Sequence, residues 1–153
     1  MKNTLVDSHL YLILLNWLCS MFSKYINIPY KNLGRDFDGV DCYGEVWLIF
    51  KESLRIELSD FTDIVYEEKW YNNGENHILN NINKDWRVVL PPYHRYDCIL
   101  FYLGSKKVVN HIGLYIGNNK FIHVYENNTS MISRLDKYWH SKIYKTIRHR
   151  KVS

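Results

Sequence analysis

At 153 residues, with 46% hydrophobic and 24% charged side chains, the chain has the size of one ordinary domain and is neither a disordered tail nor a low-complexity linker. Aromatics reach 16%, against only 7 Gly and 3 Pro, a balance that suits an α/β or α+β domain with several strands. The formal net charge is +4, and much of the excess sits near the end, at Lys142, Lys145, Arg148, Arg150 and Lys151. A solvated face accounts for that run, and no RNA-binding aromatic motif, zinc-finger spacing or heptad repeat points to specific nucleic-acid recognition. Ala and Gln are absent throughout, which reads as coding bias and carries no chemistry.

Three cysteines, Cys19, Cys42 and Cys98, cannot pair completely and show no CxxC spacing, so a disulfide or metal scaffold is not expected. Residues 10–22 are apolar, but Asp7 precedes them, Asn16 interrupts them and bulky Leu18 stands before Cys19, against a signal peptide. The stretch is also too short to span a membrane. A helix over residues 8–25 is expected, capped at Asp7 or Ser8 and stopping before Ile28-Pro29.

Residues 30–41 read as a loop rich in turn formers, and a second helix opens at Asp41 or Cys42 and reaches about Leu54. Residues 57–89 are polar and Asn-rich, with one short helix expected around residues 75–82. After Pro91-Pro92 the period changes to that of strands. Residues 97–103, 108–116, 120–125, 130–135 and 143–147 are expected to form an antiparallel meander, with Gly117-Asn118-Asn119 as a tight turn. The plan is α+β in one domain spanning residues 1–153, with helices first and about five strands after them.

Cys42 is the first candidate for chemistry. A cysteine at a helix start meets partial positive charge and free N–H groups, which favour thiolate. His111 and His123 lie 12 residues apart with the turn between them, so a hairpin places both on one face. One imidazole can take the thiol proton while the second orients the first, or each can be an ordinary strand histidine. A zinc site would need Cys98, Asp97 or Cys42 as a further ligand, and no common ligand spacing is present, so neither metal nor cofactor is expected. Cys98, inside Cys98-Ile99-Leu100-Phe101, reads as core.

These residues carry a resemblance. Pro29-Tyr30, then Gly34-Arg35-Asp36 through Asp41-Cys42-Tyr43-Gly44 and an apolar helix, is similar to the nucleophile segment of NlpC/P60 cysteine peptidases. Tyr96-Asp97-Cys98, Asn110-His111-Ile112-Gly113 and Phe121-Ile122-His123 resemble that family's later strands, in the same order across nearly the whole chain. The form of the cysteine segment most resembles the small tail-tip peptidases of long-tailed phages. The resemblance implies a papain-like α+β fold with Cys42 as nucleophile, His111 as general base and His123 as the orienting third member. It implies oxyanion or substrate roles for Tyr30 and Asp41, Asp41 serving equally as a helix cap. It implies cleavage of peptidoglycan stem peptides at a γ-D-glutamyl–diamino acid bond, other tail-tip proteins as partners, and a place at the virion tail tip without membrane insertion. The alternative is a structural tail-tip protein with an unused site. Three departures stand out: Tyr43 in place of the more frequent Ser, Arg95-Tyr96 in place of Pro-Gly, and the segment 57–89.

Overall fold

A computed structural model describes residues 12–13, 20–63, 70–74, 76–82, 84–104 and 108–153. Most of the first expected helix, and Cys19 with it, lies outside that set; residues 20–22 are helical and run into a 3-10 turn at Ser23–Tyr25. The expected loop after Tyr30 contains a small hairpin, β1 (Arg35–Asp36) and β2 (Gly39–Val40), closed by the two-residue pairing Arg35 with Val40 and Asp36 with Gly39. Helix α1 (Cys42–Ile49) follows at once and continues as a π-helical turn at Phe50–Leu54, matching the expected second helix. Arg55, in the left-handed region with φ 56°, ends it. A 3-10 turn at Trp70–Asn73 and α2 (His77–Asn80) precede the sheet, α2 falling where the short helix was expected.

The sheet has six strands rather than five. They are β3 (Trp86–Val89), β4 (Cys98–Phe101), β5 (His111–Gly117), β6 (Lys120–His123), β7 (Met131–Arg134) and β8 (Ile143–His149), with α3 (Lys137–His140) between the last two. Their order is β3-β8-β4-β5-β6-β7, antiparallel at every pairing. The additional strand, β3, lies inside the polar 57–89 segment. It sits at an edge, pairs with β8 alone and exposes Arg87 and Val88, so it lacks the alternation that marks a half-buried strand.

Alternation along the central strands builds two apolar layers. Val46 and Ile49 of α1, with Phe50 of the π-helical turn after it, meet Leu100, Ile112, Leu114 and Ile122 on one side of the sheet. On the other side Ile99, Phe101, Phe121 and Leu135 pack under Trp139 and Tyr115. The β5–β6 turn uses Asn118 and Asn119 at φ 52° and 57°, a conformation Asn tolerates and one whose twist suits a two-residue hairpin. Buried Asp97 holds β4 to β8 by accepting from Arg148 Nε at 2.6 Å and Nη2 at 2.9 Å. The basic C-terminal run is therefore divided: Arg148 is committed inside the fold, Arg150 pairs with Asp85, and Lys142 and Lys145 lie over tyrosine rings.

One buried charge-bearing residue is unlike the rest. Glu45, on α1, is 1% exposed and neither carboxyl oxygen makes a hydrogen bond. Burial pushes its pKa well above the usual carboxylate value, with nearby Ser130 pulling the other way. A folded-state pKa above the unfolded one means the folded chain holds the extra proton, so stability falls as pH rises beyond the unfolded value near 4.3. Glu45→Gln removes that dependence. Thermal melts are expected to show the variant gaining on the wild type as pH rises above about 5; melting curves that stay parallel there would contradict a neutral buried Glu45.

Candidate active site

The start of α1 is fixed by one carboxylate. Asp41, in extended backbone conformation, caps the helix by accepting from Gly44 N–H at 2.6 Å through Oδ1. Its Oδ2 accepts from Leu33 N–H at 3.0 Å, and Arg35 Nη1 reaches Oδ1 at 2.9 Å. The acid before the cysteine is thus built into the fold as a cap and ion-pair partner, while still lining the cavity described below. Gly44 has no alternative here, because a Cβ would collide with the carbonyl oxygen of Gly34. That close approach docks the helix start against the β1–β2 hairpin.

Cys42, the first residue of α1, is partly accessible and sits against the start of β5, where the Ile112 N–H points to its sulfur alongside the Tyr43 N–H. His111 immediately precedes Ile112. Its Nε2 lies 3.0 Å from His123 Nδ1, and both rings are buried. The β5–β6 register explains this pairing. Leu114 faces Ile122 and Tyr115 faces Phe121, so extending the ladder puts His111 and His123 on one face as diagonal neighbours, within reach of ring side chains. Because Nε2 of His111 is taken by His123, Nδ1 is the ring nitrogen outside that bond. His123 Nε2 meets Ser133 Oγ at 2.8 Å. Phe101, Phe121, Tyr125 and Trp139 surround the two imidazoles.

A cavity of about 730 Å³ is lined by Tyr30, Asp41, Cys42, Tyr43, His111 and Trp139. His123 is not among its lining residues and reaches it only through His111. Tyr30 is held at its backbone by Asn128 and by a bridge to Val40. The segment after Arg55 also borders the cavity, because it runs back along α1. Trp47 Nε1 donates to Leu58 O at 2.9 Å, Tyr43 Oη to Ser59 O at 2.6 Å and Arg35 Nε to Asp60 O at 2.9 Å. Phe61 is thereby brought to 5.3 Å from the Tyr43 ring. Tyr43, directly after Cys42, thus ties down this strap. Among the described residues no group of three His, Cys, Asp or Glu is placed to hold a metal, and no helix is long and apolar enough to cross a membrane.

The electrostatics correct one sequence expectation. The helix start was expected to favour thiolate. Instead burial, with the Asp41 charge added, raises the Cys42 pKa to about 12, outweighing the two N–H groups and Arg35. His111 is pushed well below its usual value by burial and by His123, and burial lowers His123 to about 4. At neutral pH Cys42 therefore holds a neutral thiol, and His111 a neutral imidazole.

Sequence reasoning did not single out Ser133, and it quoted Arg35 only as part of the cysteine segment. The strand over residues 130–135 was readable, yet the β6–β7 register, which decides which of its side chains meets His123, was not.

The helix that begins at Cys42 thus lies against an antiparallel sheet with a histidine pair on neighbouring strands. Residues 27–148 match the NlpC/P60 family, and the chain belongs to it. The chain is 29% identical over 131 residues to tail tip assembly protein K of Escherichia phage lambda, covering 83% of this chain and 63% of that protein. It is 28% identical over 123 residues to the murein DD-endopeptidase MepS/murein LD-carboxypeptidase of Escherichia coli K12, covering 80% and 56%. It is 30% identical over 122 residues to the gamma-DL-glutamyl hydrolase of Bacillus subtilis, covering 78% and 26%. The chain therefore spans less than two thirds of each relative. The solved NlpC/p60 domain of the peptidoglycan hydrolase SagA superposes with a TM-score of 0.55 at 15% identity, over 86% of this chain and 95% of that domain, which shows the shared fold.

The neutral resting pair has a direct readout in thiol chemistry. Alkylation of Cys42 by iodoacetamide is expected to climb through pH 9 without levelling off near neutrality. A preformed thiolate–imidazolium pair would instead give a plateau beginning between about pH 4 and 7.

Proposed function

We propose that this chain is a cysteine peptidase of peptidoglycan stem peptides, with Cys42 as nucleophile, His111 as general base and His123 as the residue that orients it. The observation that carries the reading is the buried His111–His123 hydrogen bond at 3.0 Å, which leaves His111 Nδ1 for the cysteine whose sulfur abuts the next residue. Cysteine nucleophilicity needs a base, and this base is held by a second group, the arrangement general to thiol and serine hydrolases.

The chemistry follows from the geometry. Nδ1 of His111 removes the Cys42 proton as the sulfur adds to the scissile carbonyl carbon. The Gly44 and Glu45 N–H groups are taken by Asp41, so the Cys42 N–H at the helix start serves the developing oxyanion, with the Tyr30 hydroxyl in reserve on the same cavity. Collapse of the adduct expels the amine, which takes the proton from His111 and leaves a thioester on Cys42. Water, deprotonated by His111, then hydrolyses the thioester and restores the thiol. The bond we assign is that between γ-D-glutamyl and a diamino acid, supported by the hydrolase from Bacillus subtilis named for γ-DL-glutamyl cleavage.

Digestion of purified muropeptides, followed by mass spectrometry, tests this. Wild type is expected to release fragments ending at D-glutamate, and Cys42→Ala to release none while keeping its melting temperature. His111→Ala is expected to lose about 10²- to 10⁴-fold in kcat. Because His111 sits well below its usual pKa, kcat/KM should stay flat from pH 8 down past 6.5 and fall only in more acid solution, where the base is protonated. Fragments cut at another bond would correct the substrate, and undiminished cleavage by Cys42→Ala would overturn the mechanism.

The likeness to a lambda tail tip assembly protein supports a second role, as a component of a virion tail tip that carries the enzyme to the cell wall. Phage particles bearing Cys42→Ala are expected to assemble complete tails, whereas particles lacking the chain are not. Complete tails without the chain would remove the structural role and leave the enzymatic one standing.

A further inference from the structure

We propose that Ser133 is a positioning residue that fixes the proton arrangement of both imidazoles and so keeps His111 in the form that can act as a base. The inference rests on the thiol-hydrolase reading of Cys42 and His111 and extends it by a fourth member.

Three strands place the chain of contacts. His111 on β5 is diagonal to His123 on β6. On the next ladder Phe121 faces Ser133 and His123 faces Met131, so Ser133 on β7 is in turn diagonal to His123 on the same face. The two hydrogen bonds, 3.0 Å and 2.8 Å, run in sequence from His111 Nε2 to His123 Nδ1 and from His123 Nε2 to Ser133 Oγ. Both rings are buried, and their ring neighbours are Phe101, Phe121, Tyr125 and Trp139, so no charged side chain among these contacts sets the tautomers.

Each neutral imidazole has one donor and one acceptor nitrogen, so the direction of one bond dictates the next. If Ser133 Oγ accepts, His123 carries its proton on Nε2 and its Nδ1 accepts from His111 Nε2–H. His111 then presents a bare Nδ1 lone pair to the thiol. If the direction is reversed, His111 carries its proton on Nδ1 and has no lone pair to offer Cys42. Ser133 is half-buried on β7, where solvent can accept its own hydroxyl proton and leave the oxygen to accept from the ring. Without the hydroxyl, His123 Nε2 loses the acceptor that favours the productive direction.

The test needs no peptide substrate, so it is independent of whether the stem-peptide reading holds. Imidazole ¹⁵N chemical shifts and couplings of the resting protein at pH 7.5 are expected to show the Nε2–H tautomer for both His111 and His123. Ser133→Ala is expected to give His123 a mixture of tautomers and to slow alkylation of Cys42 by about tenfold, the scale seen when a supporting hydrogen bond to a functional imidazole is lost. Ser133→Thr, which keeps the hydroxyl, should restore both. The proposal is overturned if the wild-type tautomers are Nδ1–H, or if Ser133→Ala leaves tautomers and alkylation unchanged. Should Ser133→Ala fail to fold, the wild-type spectrum and Ser133→Thr still decide: reversed tautomers, or a Thr variant that behaves unlike wild type while melting normally, would end it.

Discussion

The carboxylate of Asp41 is the constraint on which the site depends. It caps α1 through Gly44, holds the chain at Leu33 and takes the Arg35 guanidinium, all from one buried side chain. An N-cap alone contributes about 1 kcal/mol, but removing one partner of a buried ion pair costs about 3–5 kcal/mol because the other charge is stranded. The hairpin, the helix start and Cys42 are therefore placed together or not at all. With that corner fixed, packing of Val46 and Ile49 against Ile112 and Leu114 brings the cysteine to the strand that carries His111.

The same burial that orders these groups sets their chemistry. A thiolate–imidazolium pair would need two charges in a site walled by aromatic rings, with Asp41 opposing the thiolate. Burial instead keeps Cys42, His111 and His123 neutral. In the mechanism proposed above, charge appears only as the reaction proceeds, where the helix start and the imidazole meet it. Interactions stronger in the transition state than at rest are the ones that raise kcat.

How much of this was legible in the sequence depended on whether a feature was local. The cap at Asp41, the helix to Leu54 and the even spacing of His111 and His123 about the Asn118-Asn119 turn are set by neighbouring residues, and the structure holds them as read. The sixth strand was not legible, because an edge strand with one partner has no alternating face. Ser133 was hidden by register, which is fixed by ladder geometry and not by any spacing in the chain. The thiol's neutrality was hidden too, because a helix start signals positive potential while only the assembled walls reveal the missing water.

Two of the three departures noted in the sequence, Tyr43 and the start of the 57–89 segment, are joined in the structure. A serine at position 43 has a side chain too short to reach the Ser59 carbonyl, which Tyr43 contacts across the width of its ring. Trp47, one turn further along α1, makes the parallel bond to Leu58, and Arg35 extends the row to Asp60. Three side chains of the nucleophile helix and its hairpin thus hold consecutive carbonyls of the returning chain. The strap so formed places Leu58 and Phe61 on the cavity beside Cys42. Bound at three successive carbonyls, residues 58–60 form a fixed wall of that cavity, and Tyr43 contributes to it through its hydroxyl.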